Sequence, residues 1–121
     1  MTIQTQITKA HRKLDKAIQQ NRPPAMCEAC TGIATVIHHY VQKSQSAYLR
    51  NHPKNHIQLC NPCHFALHTK SDPNIVARII EKRGKEWEKW IQEHRSILIK
   101  RDKFYLQELE AKIEELTQDT F

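Results

Sequence analysis

The sequence predicts a mostly helical α+β protein arranged around one small strand–loop–strand–helix module held by two cysteine knuckles. Three observations predict it. All four cysteines fall into two CxxC pairs, Cys27/Cys30 and Cys60/Cys63. Two short β-prone segments lie between these pairs, separated by a polar run, and a helical pattern follows the second pair directly. The remaining chain carries apolar residues at helical spacing on both sides of the module.

Length and composition set the scale. With 121 residues, 39% of them hydrophobic, the chain suits a single domain with a modest core. Such a core often needs a staple, and four clustered cysteines can supply one as a zinc site or as disulfides. The start, MTIQTQITKAHRK, has no apolar secretory region, and no run is long and apolar enough to span a bilayer. The expectation is a cytoplasmic protein with no membrane association, whose cysteines favour zinc over disulfides.

The net charge is +6, unevenly spread. Residues 1–23 carry Lys9, Arg12, Lys13, Lys16 and Arg22 against Asp15 alone, whereas residues 107–121 carry Glu108, Glu110, Glu114, Glu115 and Asp119 against Lys112 alone. A polyanion would therefore meet the front and middle of the chain rather than its tail. A generic solvated basic surface explains the charge equally well.

In chain order, Thr5 to Asn21 is the first helix of a basic N-terminal segment, 1–23, with Ile7, Ala10, Leu14, Ala17 and Ile18 on one face. Pro23-Pro24 ends it. The core module spans 24–70. Cys27-Glu28-Ala29-Cys30 followed by Thr31-Gly32 reads as a knuckle turn, and Ala34 to Val41 as a strand carrying His38 and His39 near its end. The polar stretch Gln42 to Asn55 reads as a loop, His56 to Leu59 as the partner strand, and the run from Pro62 through His68 as a helix.

The C-terminal extension, 71–121, opens on a helix-start signal, with Asp72 as N-cap and Pro73 at the first helical position, and Gly84 marks a stop or bend. Lys85 to about Gln118 contains no Pro or Gly. That length exceeds an ordinary globular helix, so either a hidden break divides it or it forms an arm or coiled coil. Because His94 and Arg101 interrupt the seam, packing back onto the first helix competes with a homodimer or a protein partner bound through this segment.

The chemistry lies in the module. Four thiolates from two CxxC pairs can close a tetrahedral shell around zinc, and a closed shell is structural. A thioredoxin-like redox CxxC is the competitor, but the βαβ pattern it needs is absent. His64 and His68, four residues apart on a helix, project from one face toward a common ion. His38 and His39 are adjacent on a strand and point to opposite faces or splay apart, so one can be a ligand while its neighbour is free to take a proton from water. For His11, His52, His56 and His94 an ordinary core or surface role is expected.

At these residues, CEAC, then VIHHY, then NHIQLCNPCHFALH, the sequence resembles the HNH endonucleases of the ββα-metal (His-Me finger) class. The resemblance covers about residues 24–70. It implies a ββα-metal core with Cys27, Cys30, Cys60 and Cys63 holding a structural Zn2+, flanked by an N-terminal helix and long C-terminal helices. Residue by residue it makes His38 and His64 ligands of a catalytic divalent ion (Mg2+, Mn2+ or Ni2+), with His68 a third ligand or a phosphate contact, and His39 the general base. Asn55 matches the family asparagine, which braces the loop that positions the base or lies close to the metal. DNA is the implied partner and phosphodiester hydrolysis the implied reaction, leaving 5′-phosphate and 3′-hydroxyl ends.

Lys43, Arg50 and Lys54, in the polar run, are candidates for holding the phosphate backbone, with solvated loop charges the alternative. A zinc-stabilised DNA-binding or adaptor module without catalysis is the competing reading of the whole chain. It would need the cysteines but not His38, His39 and His64 together. Because base and metal ligands must all be unprotonated, and free imidazole titrates near pH ~6.5, cleavage is expected to rise from pH ~5.5 to ~7.5. A flat rate profile across that interval would count against His39 as the base.

Overall fold

A computed structural model describes residues 1–118; Asp119 of the acidic tail lies outside them. The described residues are mostly helical, with one two-stranded antiparallel sheet. Among them no helix is long and apolar enough to cross a membrane. The described residues divide into two compact units, one formed by residues 1–22 with 99–118 and the other by residues 23–98.

The first unit is a helix pair. Helix α1 (Ile3–Gln20) starts where the Thr2 side chain accepts a hydrogen bond from the Thr5 amide, and it ends at Asn21, whose side chain reaches back to the Ala17 carbonyl. Its partner is α6 (Lys103–Thr117), capped by Asp102, which accepts from the amides of Phe104 and Tyr105 at 3.0 Å each. Ile7, Ala10 and Leu14 of α1 pack with Tyr105, Leu106 and Leu109 of α6. His11 is buried in the same layer and shares a 2.7 Å hydrogen bond with the Tyr105 hydroxyl, which satisfies both polar tips inside an apolar contact.

The second unit contains the module. A bridge between Met26 and Ile33 closes the first knuckle, and strand β1 (Val36–His39) then pairs with β2 (His56–Leu59) in the register Val36↔Leu59, Ile37↔Gln58, His38↔Ile57 and His39↔His56. Strand β1 is shorter than the β-prone run from Ala34 to Val41. Strand β2 has the span read from the sequence, and its alternation buries Ile57 and Leu59.

The polar run between the strands is not all loop. It contains a short helix α2 (Ala47–Arg50) and a 3-10 turn over Pro53–Asn55. Ser46 caps α2 by accepting from the Leu49 amide at 3.1 Å, and Leu49 is fully buried with Val41 and Ile91. One buried leucine among polar neighbours was too little periodic signal to reveal the helix.

Helix α3 (Asn61–Lys70) follows β2 and ends at Ser71, which adopts a left-handed conformation at φ 47°. Helix α4 (Pro73–Arg83) begins with the expected Asp72 cap and covers the sheet with Ile75 and Ile79, which pack against Cys27, Ile57 and Leu59. Arg83 on α4 pairs with Glu28 inside the first knuckle and also donates to the His56 carbonyl at 2.8 Å. Glu28 in turn accepts from the Gln58 amide at 2.8 Å, so one partly buried ion pair ties knuckle, strand and helix together.

Helix α5 (Lys85–His94) is separate from α6. The uninterrupted 85–118 segment thus has its hidden break, across residues 95–102, where β-branched Ile97 and Ile99 weaken the helix and Asp102 starts a new one. Gly84, between α4 and α5, sits at φ 99° and ψ 155°, a region open to little besides glycine. A Cβ added there would meet nothing within 4 Å. Any cost of Gly84→Ala is therefore backbone strain, expected at about 1–3 kcal/mol and read as a lowered urea midpoint. An unchanged midpoint would mean the backbone does not hold this conformation.

Candidate functional site

Two clusters of metal-ligating side chains lie in the second unit. In the first, one sulfur from each of Cys27, Cys30, Cys60 and Cys63 lies within 4.8 Å of the others. Cys30 Sγ and Cys60 Sγ are 3.6 Å apart, close to the about 3.8 Å edge of a tetrahedron with ~2.3 Å metal–sulfur bonds. The tight knuckle supplies amide donors to the sulfurs: Ala29 N–H to Cys27 at 3.4 Å and Gly32 N–H to Cys30 at 3.3 Å. None of the four cysteines is in a disulfide.

Proton affinities divide across the cluster. Burial works to raise the Cys27 thiol, but hydrogen bonds from the backbone of Cys60 and Ala29 bring it down to about 7. The Cys63 thiol is pushed far up by its own burial and by the other three cysteines. One thiolate forms readily and the last is opposed by its neighbours, which is the electrostatic arrangement that a bound cation resolves. The cluster is compatible with a structural metal such as zinc.

The second cluster joins strand to helix. His38, His64 and His68 each place a ring nitrogen within 4.8 Å of the others. Ring centroids are 5.3 Å apart for His38–His64, 5.0 Å for His38–His68 and 4.4 Å for His64–His68, all edge to face. His38 is buried, His64 half-buried and His68 exposed, so the cluster opens to solvent on one side. Burial, followed by the charges that His64, His68 and His39 would carry, drives His38 down to about 3. Burial and then His68 lower His64 as well. Buried imidazoles held neutral keep their lone pairs available to a cation.

His39 takes the other direction. Its ring lies 5.0 Å from that of His56, its cross-strand partner, while His38 faces α3. His56 donates from Nε2 to the Arg50 carbonyl at 2.9 Å, which fixes its ring and tautomer. No residue spacing singles out His56; the strand register does.

Asn55 is fully buried and clasps one residue from both sides. Its Oδ1 accepts from the Val41 amide at 2.8 Å, and its Nδ2 donates to the Val41 carbonyl at 3.1 Å. Its own carbonyl accepts from the Tyr40 amide at 2.9 Å. Asn55 therefore fixes the chain leaving β1, immediately after the histidine doublet.

The three basic residues of the polar run are spread out. Lys54 rests its ammonium 4.3 Å above the Trp90 ring, and its carbonyl accepts from Trp87 Nε1 at 2.7 Å. Lys43 is exposed in the turn before α2, and Arg50 is half-buried at the end of α2. The remaining histidines have structural partners: His52 accepts from the Lys54 amide, and His94 stacks on Trp90 at 4.0 Å. One cation that no motif spacing marked, Arg95 at the end of α5, lines a cleft with His38. No family model, curated protein or solved structure matches the chain.

The expected metal content follows from the sulfur geometry. Purified protein should carry about one tightly held zinc per chain, and cobalt exchange should give thiolate charge-transfer bands that weaken in Cys27→Ser and in Cys63→Ser. Removing the metal should lower the melting temperature, because ligand binding to a folded site is folding free energy. A metal-free protein melting at the same temperature would exclude a structural role.

Proposed function

We propose that the chain is a metal-dependent HNH DNA endonuclease, with a ββα-metal core and zinc on the four cysteines. The observation that carries this reading is the convergence of His38, from the hairpin, with His64 and His68, from the following helix, on one solvent-open cluster. The doublet partner, His39, lies on the opposite side of the same strand. A closed four-sulfur cluster beside an open three-histidine cluster suits one structural and one catalytic metal, because catalytic sites keep positions free for water or substrate.

In the proposed reaction His38 and His64 would hold the catalytic divalent ion, and His68 would add a third donor or contact the phosphate. When bound, that ion supplies charge stabilisation to the phosphate and to the leaving oxygen. His39 accepts a proton from water as the oxygen attacks phosphorus; the P–O3′ bond breaks, and the 3′ oxygen leaves and takes a proton from solvent water. The products are 5′-phosphate and 3′-hydroxyl ends. His56 limits the rotation of the His39 ring, and Asn55 keeps the strand end from shifting, so the base stays in register with the metal ligands.

Supercoiled plasmid tests this directly, with purified protein and magnesium, manganese or nickel. Nicked or linear product is expected with metal, none with EDTA, and a rate about 10²–10⁴-fold lower for His39→Ala. No product with any metal, from protein that keeps its zinc and binds DNA, would make the chain a zinc-stabilised binding module instead.

A further inference from the structure

Beside the histidine cluster is a cleft of about 250 Å³, lined in part by His38, Tyr40, Gln45, Leu67, Gln92 and Arg95. It is smaller than the ~300–1,000 Å³ common for pockets that enclose a drug-sized ligand. A space of this size has room for a phosphodiester group. His38 and Tyr40, two residues apart, reach it from the same face of the β1 strand and its continuation.

Arg95 supplies the positive charge. It follows the last residue of α5, where the helix dipole favours a cation, and it is half-buried. Its guanidinium donates to Gln92 Oε1 at 3.1 Å and to Gln45 Oε1 at 2.9 Å. Both acceptors are neutral amides, and among the described residues no carboxylate pairs with it. A guanidinium has five N–H donors, so these two bonds orient the group and leave three donors for another acceptor. The amides steady the fork without neutralising it, which suits binding of an incoming anion. The charge is felt within the cleft: burial and then Glu88 push the Tyr40 hydroxyl up, while Arg95 pulls it down.

We propose that Arg95 is a catalytic residue that donates hydrogen bonds to a non-bridging oxygen of the scissile phosphodiester in the cleft beside His38. The proposal rests on the nuclease reading and adds the substrate contact that reading lacks. The phosphate is held between the histidine cluster on one side and the guanidinium on the other. Donors oriented before substrate arrives act most strongly on the extra negative charge that develops as water attacks. The contact reads no base, so it serves all DNA sequences alike.

The test uses the full zinc-loaded chain and a short labelled duplex, comparing wild type with Arg95→Ala and Arg95→Lys. Arg95→Ala is expected to lower kcat about 10²–10³-fold with a much smaller change in KM, and Arg95→Lys to recover part of the loss as a point charge. Equal zinc content and melting temperature in all three proteins establish that the fold is kept. Wild-type kcat in Arg95→Ala overturns the proposal and leaves the nuclease reading standing. If the wild type itself does not cleave, the nuclease reading fails, and titration with inorganic phosphate, followed by amide NMR shifts in residues 38–45 and 92–95, decides Arg95 alone. Shifts that disappear in Arg95→Ala uphold it as the phosphate contact; equal shifts in both proteins, or none in either, overturn it.

Discussion

Four sulfurs held within 4.8 Å of one another constrain everything around them. Cys27 and Cys30 come from the turn before β1, and Cys60 and Cys63 from the junction of β2 with α3. Joining them fixes where the first knuckle sits against the end of the hairpin, and therefore where α3 starts. The apolar core beneath is small: Ile57, Leu59, Ile75 and Ile79, with Cys27 and Cys63 as members of the same cluster. With so little area to bury, the arrangement of thiols and the Glu28–Arg83 pair take over part of what a larger core would do.

The histidine sites then follow from two periodicities. A strand alternates its side chains, so adjacent His38 and His39 are sent apart, one toward α3 and the other toward His56. A helix returns to the same face after four residues, so His64 and His68 meet the same point. Each element supplies what the other cannot. The helix gathers two imidazoles, and the strand separates a third, His38, from a neighbouring imidazole that keeps its own environment. Asn55 preserves this division where β1 ends, since a slip of one residue would exchange the two histidines.

Legibility in the sequence tracks how local the cause is. The span of β2, the Asp72–Pro73 start of α4 and the Gly84 stop all depend on a few adjacent residues, and all were readable. The pairing of α6 with α1 was one of two outcomes left open by their apolar stripes. Helix α2 escaped because its stability comes from one buried leucine and a serine cap rather than from a repeating pattern. The nearness of the partners within each CxxC pair and of His64 to His68 was legible because those spacings carry their geometry with them. The places of Arg95 and His56 were not, since each depends on a meeting between elements distant in sequence: α5 with the cleft, and β2 with β1.

Helix α3 is where the two clusters become one problem. It carries Cys63 with Cys60 at its cap, and then His64 and His68. At about 100° per residue, Cys63 faces the buried side while His64, one step on, faces His38, so a sulfur and an imidazole leave one short helix with a fixed angle between them. A helix turned to suit one cluster alone would displace the other. The sulfurs, held by knuckle amides and core packing, set the rotation of α3, and the histidines inherit it. That dependence lets a solvent-open cluster take its position from the fold despite an exposed member, His68. Its placement comes from the closed cluster one residue away on the same helix, not from its own burial.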